Sequence, residues 1–166
     1  MANILDTTFE NNYFDIVISE RCLLNLPSKE SQFQMIKRIW EILKPDGIYV
    51  MVEGSYDGLI RLNEIRKLFG LKEIPDKDEN NFSSLKFVEK ELENYVINYF
   101  DISKKHFFGM YYFISRVIHP LLVYPEEPKF ESRINEIARL ISSKIPNYED
   151  IGHIVGYVLS ARKNIK

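Results

Sequence analysis

The sequence holds a single cysteine, Cys22, in 166 residues. A disulfide framework within the chain is excluded, and a reducing compartment fits. Excess charge is also missing: 22 Lys and Arg face 24 Asp and Glu, a formal charge of −2. That balance leaves no electrostatic footprint for nucleic acid or an anionic membrane. Apolar runs are too short and too interrupted to span a bilayer. The opening Met1-Ala2-Asn3-Ile4-Leu5-Asp6 has no basic stretch before an apolar run, so no signal peptide is expected. A soluble, cytoplasmic chain is the expectation. The three histidines, His106, His119 and His153, are isolated, and no metal site is expected. Glycine is sparse. The seven are Gly47, Gly54, Gly58, Gly70, Gly109, Gly152 and Gly156, and no two form a G-x-G pair. The fingerprint of a dehydrogenase-like nucleotide-binding domain is therefore absent.

What is present is apolar and aromatic: 45% hydrophobic residues, with ten Tyr and eleven Phe. A chain of this length fits one domain, 1–166, and can bury about 70% of its unfolded surface. After a turn at Glu10-Asn11-Asn12, residues 13–19 read as a strand. Its Ile16-Val17-Ile18 core does not alternate, which predicts burial on both faces, as in a parallel sheet. Ser28 after Pro27 marks a helix start, with Glu30 and Gln32 nearby. Phe33, Ile36, Ile39, Trp40 and Leu43 recur at helical spacing. The helix must stop before Pro45, because a residue preceding proline is pushed out of the helical region.

Lys44-Pro45-Asp46-Gly47 reads as a turn, and 48–53 as a second buried strand. Strand, helix and strand make a right-handed parallel βαβ unit. Leu59, Leu62, Ile65, Leu68 and Phe69 predict a helix closed by Gly70. Residues 75–84 read as a surface loop, 88–95 as a short helix and 99–108 as a strand. Residues 111–123 read as a helix ending near His119-Pro120. In 131–144, Ile134, Ile137, Ala138, Ile141 and Ile145 fall on one helical face, and 151–161 is the last strand.

Phe14-Asp15-Ile16-Val17-Ile18-Ser19, Leu23-Leu24-Asn25-Leu26 and Ile42-Leu43-Lys44-Pro45-Asp46-Gly47-Ile48-Tyr49-Val50 together resemble class I S-adenosylmethionine-dependent methyltransferases. That family shows "FDvVis…vLhhl…vLkPGG.lvi" across its fourth strand, following helix and fifth strand. Asp46 stands where the family usually has Gly. Asp6 matches the acidic residue the family often has before "FD". The resemblance implies an α/β fold: an incomplete Rossmann-like sheet with strands equivalent to 4-5-7-6, the last antiparallel, and an inserted helical segment at 109–147. It covers the carboxyl-terminal half of that domain. The family's E/D-x-G-x-G-x-G cofactor loop is not in this sequence, and neither are the first three strands. Such a loop works because glycines let the backbone approach the ligand.

The resemblance implies S-adenosylmethionine as cofactor and methyl transfer to a small-molecule acceptor, with an amino-terminal half supplied from elsewhere. No N-P-P-Y motif for nucleic-acid or amide nitrogen acceptors is present. Ligands of open α/β sheets sit beyond the carboxyl ends of the strands. Ser19, Glu20 and Arg21 are the cofactor candidates, against a reading of Glu20 and Arg21 as a solvated charge pair. Glu53 and Tyr56 are the catalytic candidates, Glu53 as a base or as a cap of the next helix. Cys22 reads as a small hydrophobe and Asn25 as a helix-start residue. Tyr111, Tyr112 and Arg116 are substrate-binding candidates in the inserted segment, though aromatics at helical spacing more often build cores. Without the family's first strand, 13–19 becomes a sheet edge, a pairing hazard. A homodimer, a complementing chain or the rest of a longer enzyme would cover it. A non-catalytic half-domain that dimerises is the alternative.

Overall fold

The computed structural model describes residues 9–77, 84–145 and 148–163. Asp6 lies outside them, as does part of the 75–84 loop. In chain order come β1 (Phe14–Glu20), a short 3-10 turn (Leu23–Asn25), α1 (Lys29–Ile42), β2 (Leu43–Gly54), α2 (Tyr56–Leu68), α3 (Glu89–Val96) and β3 (Phe100–Phe107). A helical run follows, made of α4 (Gly109–Phe113), a π-helical turn (Ile114–Ile118) and α5 (His119–Val123). α6 (Arg133–Lys144) and β4 (Ile154–Ala161) complete the chain. The chain divides into two compact units, one of Met1–Gly54, Asn80–His106 and Gly156–Lys166, the other of Ser55–Glu79 and Phe107–Val155.

The four strands form one sheet in the order β1-β2-β4-β3. β1 and β2 are parallel, with Ile16 opposite Ile48 and Glu20 opposite Val52. β4 runs against its neighbours. Ser160 Oγ lies 2.8 Å from Ser103 Oγ, while Gly156 adjoins both His106 and Val52. Position numbers on β4 fall as those on β3 rise, which is the antiparallel relation. This is the expected 4-5-7-6 arrangement with an antiparallel last strand.

α1 begins where the sequence places its start. The Ser28 side chain accepts from the Ser31 backbone N–H, and Ser31 answers with its own side chain on the Ser28 N–H, a reciprocal capping box. Met35, Ile36, Ile39 and Ile42 are buried on one face. Ser28→Ala removes one cap and is expected to lower stability by about 1 kcal/mol in a urea titration.

Several expectations are corrected. β2 begins at Leu43 rather than 48, because Phe14 pairs with Leu43 across a register shift. The Lys44–Gly47 turn is absorbed as an irregularity, with Asp46 at φ 60°. Ile16 and Ile18 are not buried on both faces: they are 55% and 69% exposed. β1 is also an edge strand, with one neighbour among the described strands. In α6, Asn135 and Ala138 are buried, whereas Ile137 and Ile145 are exposed.

The helix expected to stop near Pro120 continues through it to Val123. Proline offers no N–H to the carbonyl four residues earlier, that of Arg116. The Arg66 guanidinium donates to that carbonyl instead, and its Nε donates to the Lys72 carbonyl at 2.9 Å.

In the second unit, three glycines carry close packing. A Cβ on Gly58 would sit 2.2 Å from the Gly152 carbonyl oxygen, and one on Gly109 1.7 Å from the Tyr148 carbonyl oxygen. Gly152 lies at φ 111°, with Tyr112 against it.

Candidate functional site

Near its end β1 carries a buried serine, Ser19, followed by two exposed charged residues, Glu20 at the strand's end and Arg21 beyond it. Ser19 is 6% exposed, while Glu20 and Arg21 face solvent. Arg21 takes φ 48°, a left-handed conformation that costs a non-glycine residue about 1–2 kcal/mol. It is pinned there from both sides. Its N–H donates to Val52 O at 2.8 Å, and its carbonyl accepts from Asn25 Nδ2 at 2.8 Å. The reversal at Arg21 sends the chain directly into the 3-10 turn.

That turn has no cap from its own N-terminal residue, Cys22. Glu53, at the end of β2, supplies one from thirty residues away. Its Oε1 accepts from Cys22 N at 3.2 Å, Leu23 N at 3.1 Å and Ser19 Oγ at 3.0 Å. Its Oε2 accepts from Leu24 N at 3.2 Å. Orphan N–H groups at the start of a helical turn favour negative charge, and here a carboxylate meets three of them.

Glu53 is fully buried. Burial raises its pKa, while the Leu23, Ser19, Leu24 and Cys22 hydrogen bonds pull it back without cancelling the rise. Burial, then Glu53, pushes the Cys22 thiol up as well, so it stays protonated near neutral pH.

Ser19 has one proton, and it goes to Glu53. Its contact with Tyr49 at 2.7 Å must then run from the phenol to the serine. The result is a one-way chain, Tyr49 to Ser19 to Glu53. Tyr49 is buried, and burial raises its pKa far above the ordinary phenol value.

The structure thus brings Ser19 and Glu53 into contact, a cofactor candidate on a catalytic candidate. Glu53 faces the 19–24 turn and has four donors on its two oxygens. Tyr49 and the Leu23 and Leu24 amides are participants that sequence reasoning did not single out. Nothing in a strand of apolar residues signals that one tyrosine hydroxyl will meet a serine across the sheet.

Tyr56 opens α2 in the second unit and is 39% exposed. Ser55 caps that helix, accepting from Gly58 N at 2.9 Å. Tyr56 lines a groove with Ile60, Asn63, Lys67, Glu73 and Ile74. Of the inserted-segment candidates, Tyr112 is 5% exposed and packs edge-on against His153, with centroids 4.7 Å apart. Tyr111 and Arg116 are half-buried. Among the described residues, no group of three or more His, Cys, Asp or Glu side chains is placed to hold a metal ion. No helix among them is long and apolar enough to cross a membrane.

Residues 1–51 match the family model described as methyltransferase domain. No curated protein matches the sequence. Among solved structures, a SAM-dependent methyltransferase from Methanosarcina mazei is similar at 19% identity and TM-score 0.51, over 99% of this chain and 66% of that one. A chain of the complex between the Haloferax volcanii Trm112 methyltransferase activator and a methyltransferase gives 13% identity and TM-score 0.58, over 99% and 61%. A SAM-dependent methyltransferase from Archaeoglobus fulgidus gives 14% and 0.52, over 97% and 66%. The chain spans slightly under two thirds of these structures' length. The chain therefore has the fold of S-adenosylmethionine-dependent methyltransferases over about two thirds of their length, and its first 51 residues match the methyltransferase-domain family.

Proposed function

We propose that the chain contributes to S-adenosylmethionine-dependent methyl transfer to a small-molecule acceptor, within one methyltransferase domain that includes the inserted segment 109–147. The observation that carries this reading is the 19–24 turn at the carboxyl end of β1. It is fixed by a buried carboxylate, yet it presents two unlike charges to solvent.

Glu20 and Arg21 fit the amino-acid end of the cofactor, which is a zwitterion: a carboxylate suits its ammonium and a guanidinium its carboxylate. The cofactor supplies a methyl group on a positively charged sulfur. The chain's own residues bind and orient. Ser19 and Glu53 are positioning residues in this account, since their polar atoms meet one another and the turn. Tyr56 and the inserted Tyr111, Tyr112 and Arg116, all in the second unit, are the acceptor-binding candidates.

The glycine-rich loop is missing from the sequence, so cofactor binding requires an amino-terminal half, in the same polypeptide or in a complementing chain. The edge of β1, with Ile16 and Ile18 exposed, is where it pairs. The near-neutral charge favours a small-molecule acceptor over nucleic acid.

Titration calorimetry with S-adenosylhomocysteine tests the reading. The chain alone is expected to show no micromolar binding. Binding is expected once a glycine-loop half is added, and Arg21→Ala is expected to weaken it about tenfold. Equal binding by wild type and Arg21→Ala would remove the turn from the cofactor site. A failure of the combined halves to bind at all would favour the non-catalytic half-domain.

A further inference from the structure

The second unit contains a cavity of about 570 Å³ whose lining includes His119, Val123, Glu126, Lys129, Phe130 and Glu131. His119 is 1% exposed, and among the described residues neither ring nitrogen has a hydrogen-bond partner. Buried polar groups are nearly always paired, and each orphan costs about 1–3 kcal/mol.

Two further buried polar atoms of the same unit are unpartnered. Ser115, one helical turn before His119, is fully buried with its Oγ unpartnered. Asn135 is 2% exposed, and its Nδ2 donates to the carbonyls of Lys129 at 3.2 Å and Phe130 at 2.8 Å. Those two bonds fix which end of the amide is oxygen, and that Oδ1 is unpartnered. The Asn135 side chain lies beside the His119 ring and favours a proton on it. The helical run also carries a π turn at Ile114–Ile118, and such turns occur often at functional sites.

The unmet groups favour a donor. Asn135 Oδ1 can only accept. Burial above all, with a smaller push from Arg116, holds His119 below its usual pKa against the pull of Asn135. The ring is therefore neutral at neutral pH and keeps one accepting nitrogen. Glu126, Glu127 and Glu131 outnumber Lys129 on the lining. Glu127 also faces Arg66, so the uncommitted negative charge sits on Glu126 and Glu131. Phe130, 76% exposed, offers an apolar surface beside them.

We propose that this cavity binds a small organic amine, whose N–H groups meet the buried His119 and whose charge is balanced by Glu126 and Glu131. The lack of a metal-type cluster among the described residues points to an organic cation rather than a metal ion. The proposal does not depend on methyl transfer.

The test uses the full chain, labelled with nitrogen-15 and titrated with phenethylamine, 2-phenylethanol and 3-phenylpropionate. Phenethylamine is expected to shift amides between 115 and 135 and to bind at least about tenfold more tightly than the propionate. Glu131→Gln, on the exposed rim, is expected to weaken the amine several-fold. His119→Leu removes an orphaned buried group, so its melting temperature is expected to hold or rise while amine binding is lost. Three results would each overturn the proposal: no shift in 115–135, equal binding of the propionate, or full amine binding by His119→Leu. A marked loss of stability in His119→Leu would do the same, since it would make the imidazole a structural partner.

Discussion

Glu53→Ala is expected to cost about 3–5 kcal/mol of unfolding free energy. The carboxylate meets three backbone N–H groups and the Ser19 hydroxyl, and alanine replaces none of them. Leu23 and Leu24 are buried, so their amides cannot turn to bulk water without opening the turn. Urea titration measures the loss, and a loss under about 1 kcal/mol would mean that water replaces the carboxylate freely.

Glu53→Gln keeps one oxygen but places an N–H₂ among donors, so an intermediate loss is expected. Here pH adds a check. Burial raises the folded-state pKa of Glu53 above its unfolded value. Such a group contributes most below the unfolded pKa, about 4.3, and that contribution fades as pH rises through the folded value. Glutamine does not titrate. The stability advantage of wild type over Glu53→Gln should therefore shrink as pH is raised from about 4 toward neutrality. A gap that widens with pH would show that the four donors outweigh burial.

Gly152→Ala is expected to be destabilising by about 3 kcal/mol or more, from two separate causes. At φ 111° any side chain is strained. In addition, the new Cβ would sit 1.9 Å from Cδ2 of Tyr112, a buried ring already packed against His153. Gly70→Ala separates the causes. Gly70 has φ 69° but nothing within 4 Å of the Cβ position. Only the backbone term remains there, about 1 kcal/mol. Denaturant melts of the two variants should differ by about 2 kcal/mol or more. Equal losses would mean that the Tyr112 ring moves aside without penalty.

Much of this architecture was legible in the chain. The Ser28 cap, the stop before Pro45 and Gly70 beyond α2 are local facts. They follow from which residues can begin or end a helix. The edge position of β1 was legible only through the family resemblance, because strand order is not written in any one strand.

Other features were not legible. Ile16 and Ile18 carry the pattern of a doubly buried strand, and their exposure depends on which layer is present beside them. The passage of the helix through Pro120 required an arginine fifty positions earlier to satisfy the stranded carbonyl. The isoleucine stripe of α6 does not coincide with its buried face, where Asn135 and Ala138 sit. Periodicity reports how apolar residues are spaced, and burial depends on what arrives opposite them.

The candidate site divides in the same way. The sequence alone determined that Ser19, Glu20 and Arg21 end one strand and Glu53 another, since strand ends are set by local chemistry. Only the tertiary structure decided that Ser19 and Glu53 meet, that Tyr49 closes the chain of hydrogen bonds, and that Glu20 and Arg21 stay exposed. The reason is distance along the chain. A hydrogen bond across thirty residues exists only after the sheet has formed, and hydrogen-bonding capacity in a sequence does not say which partner will be within 3 Å.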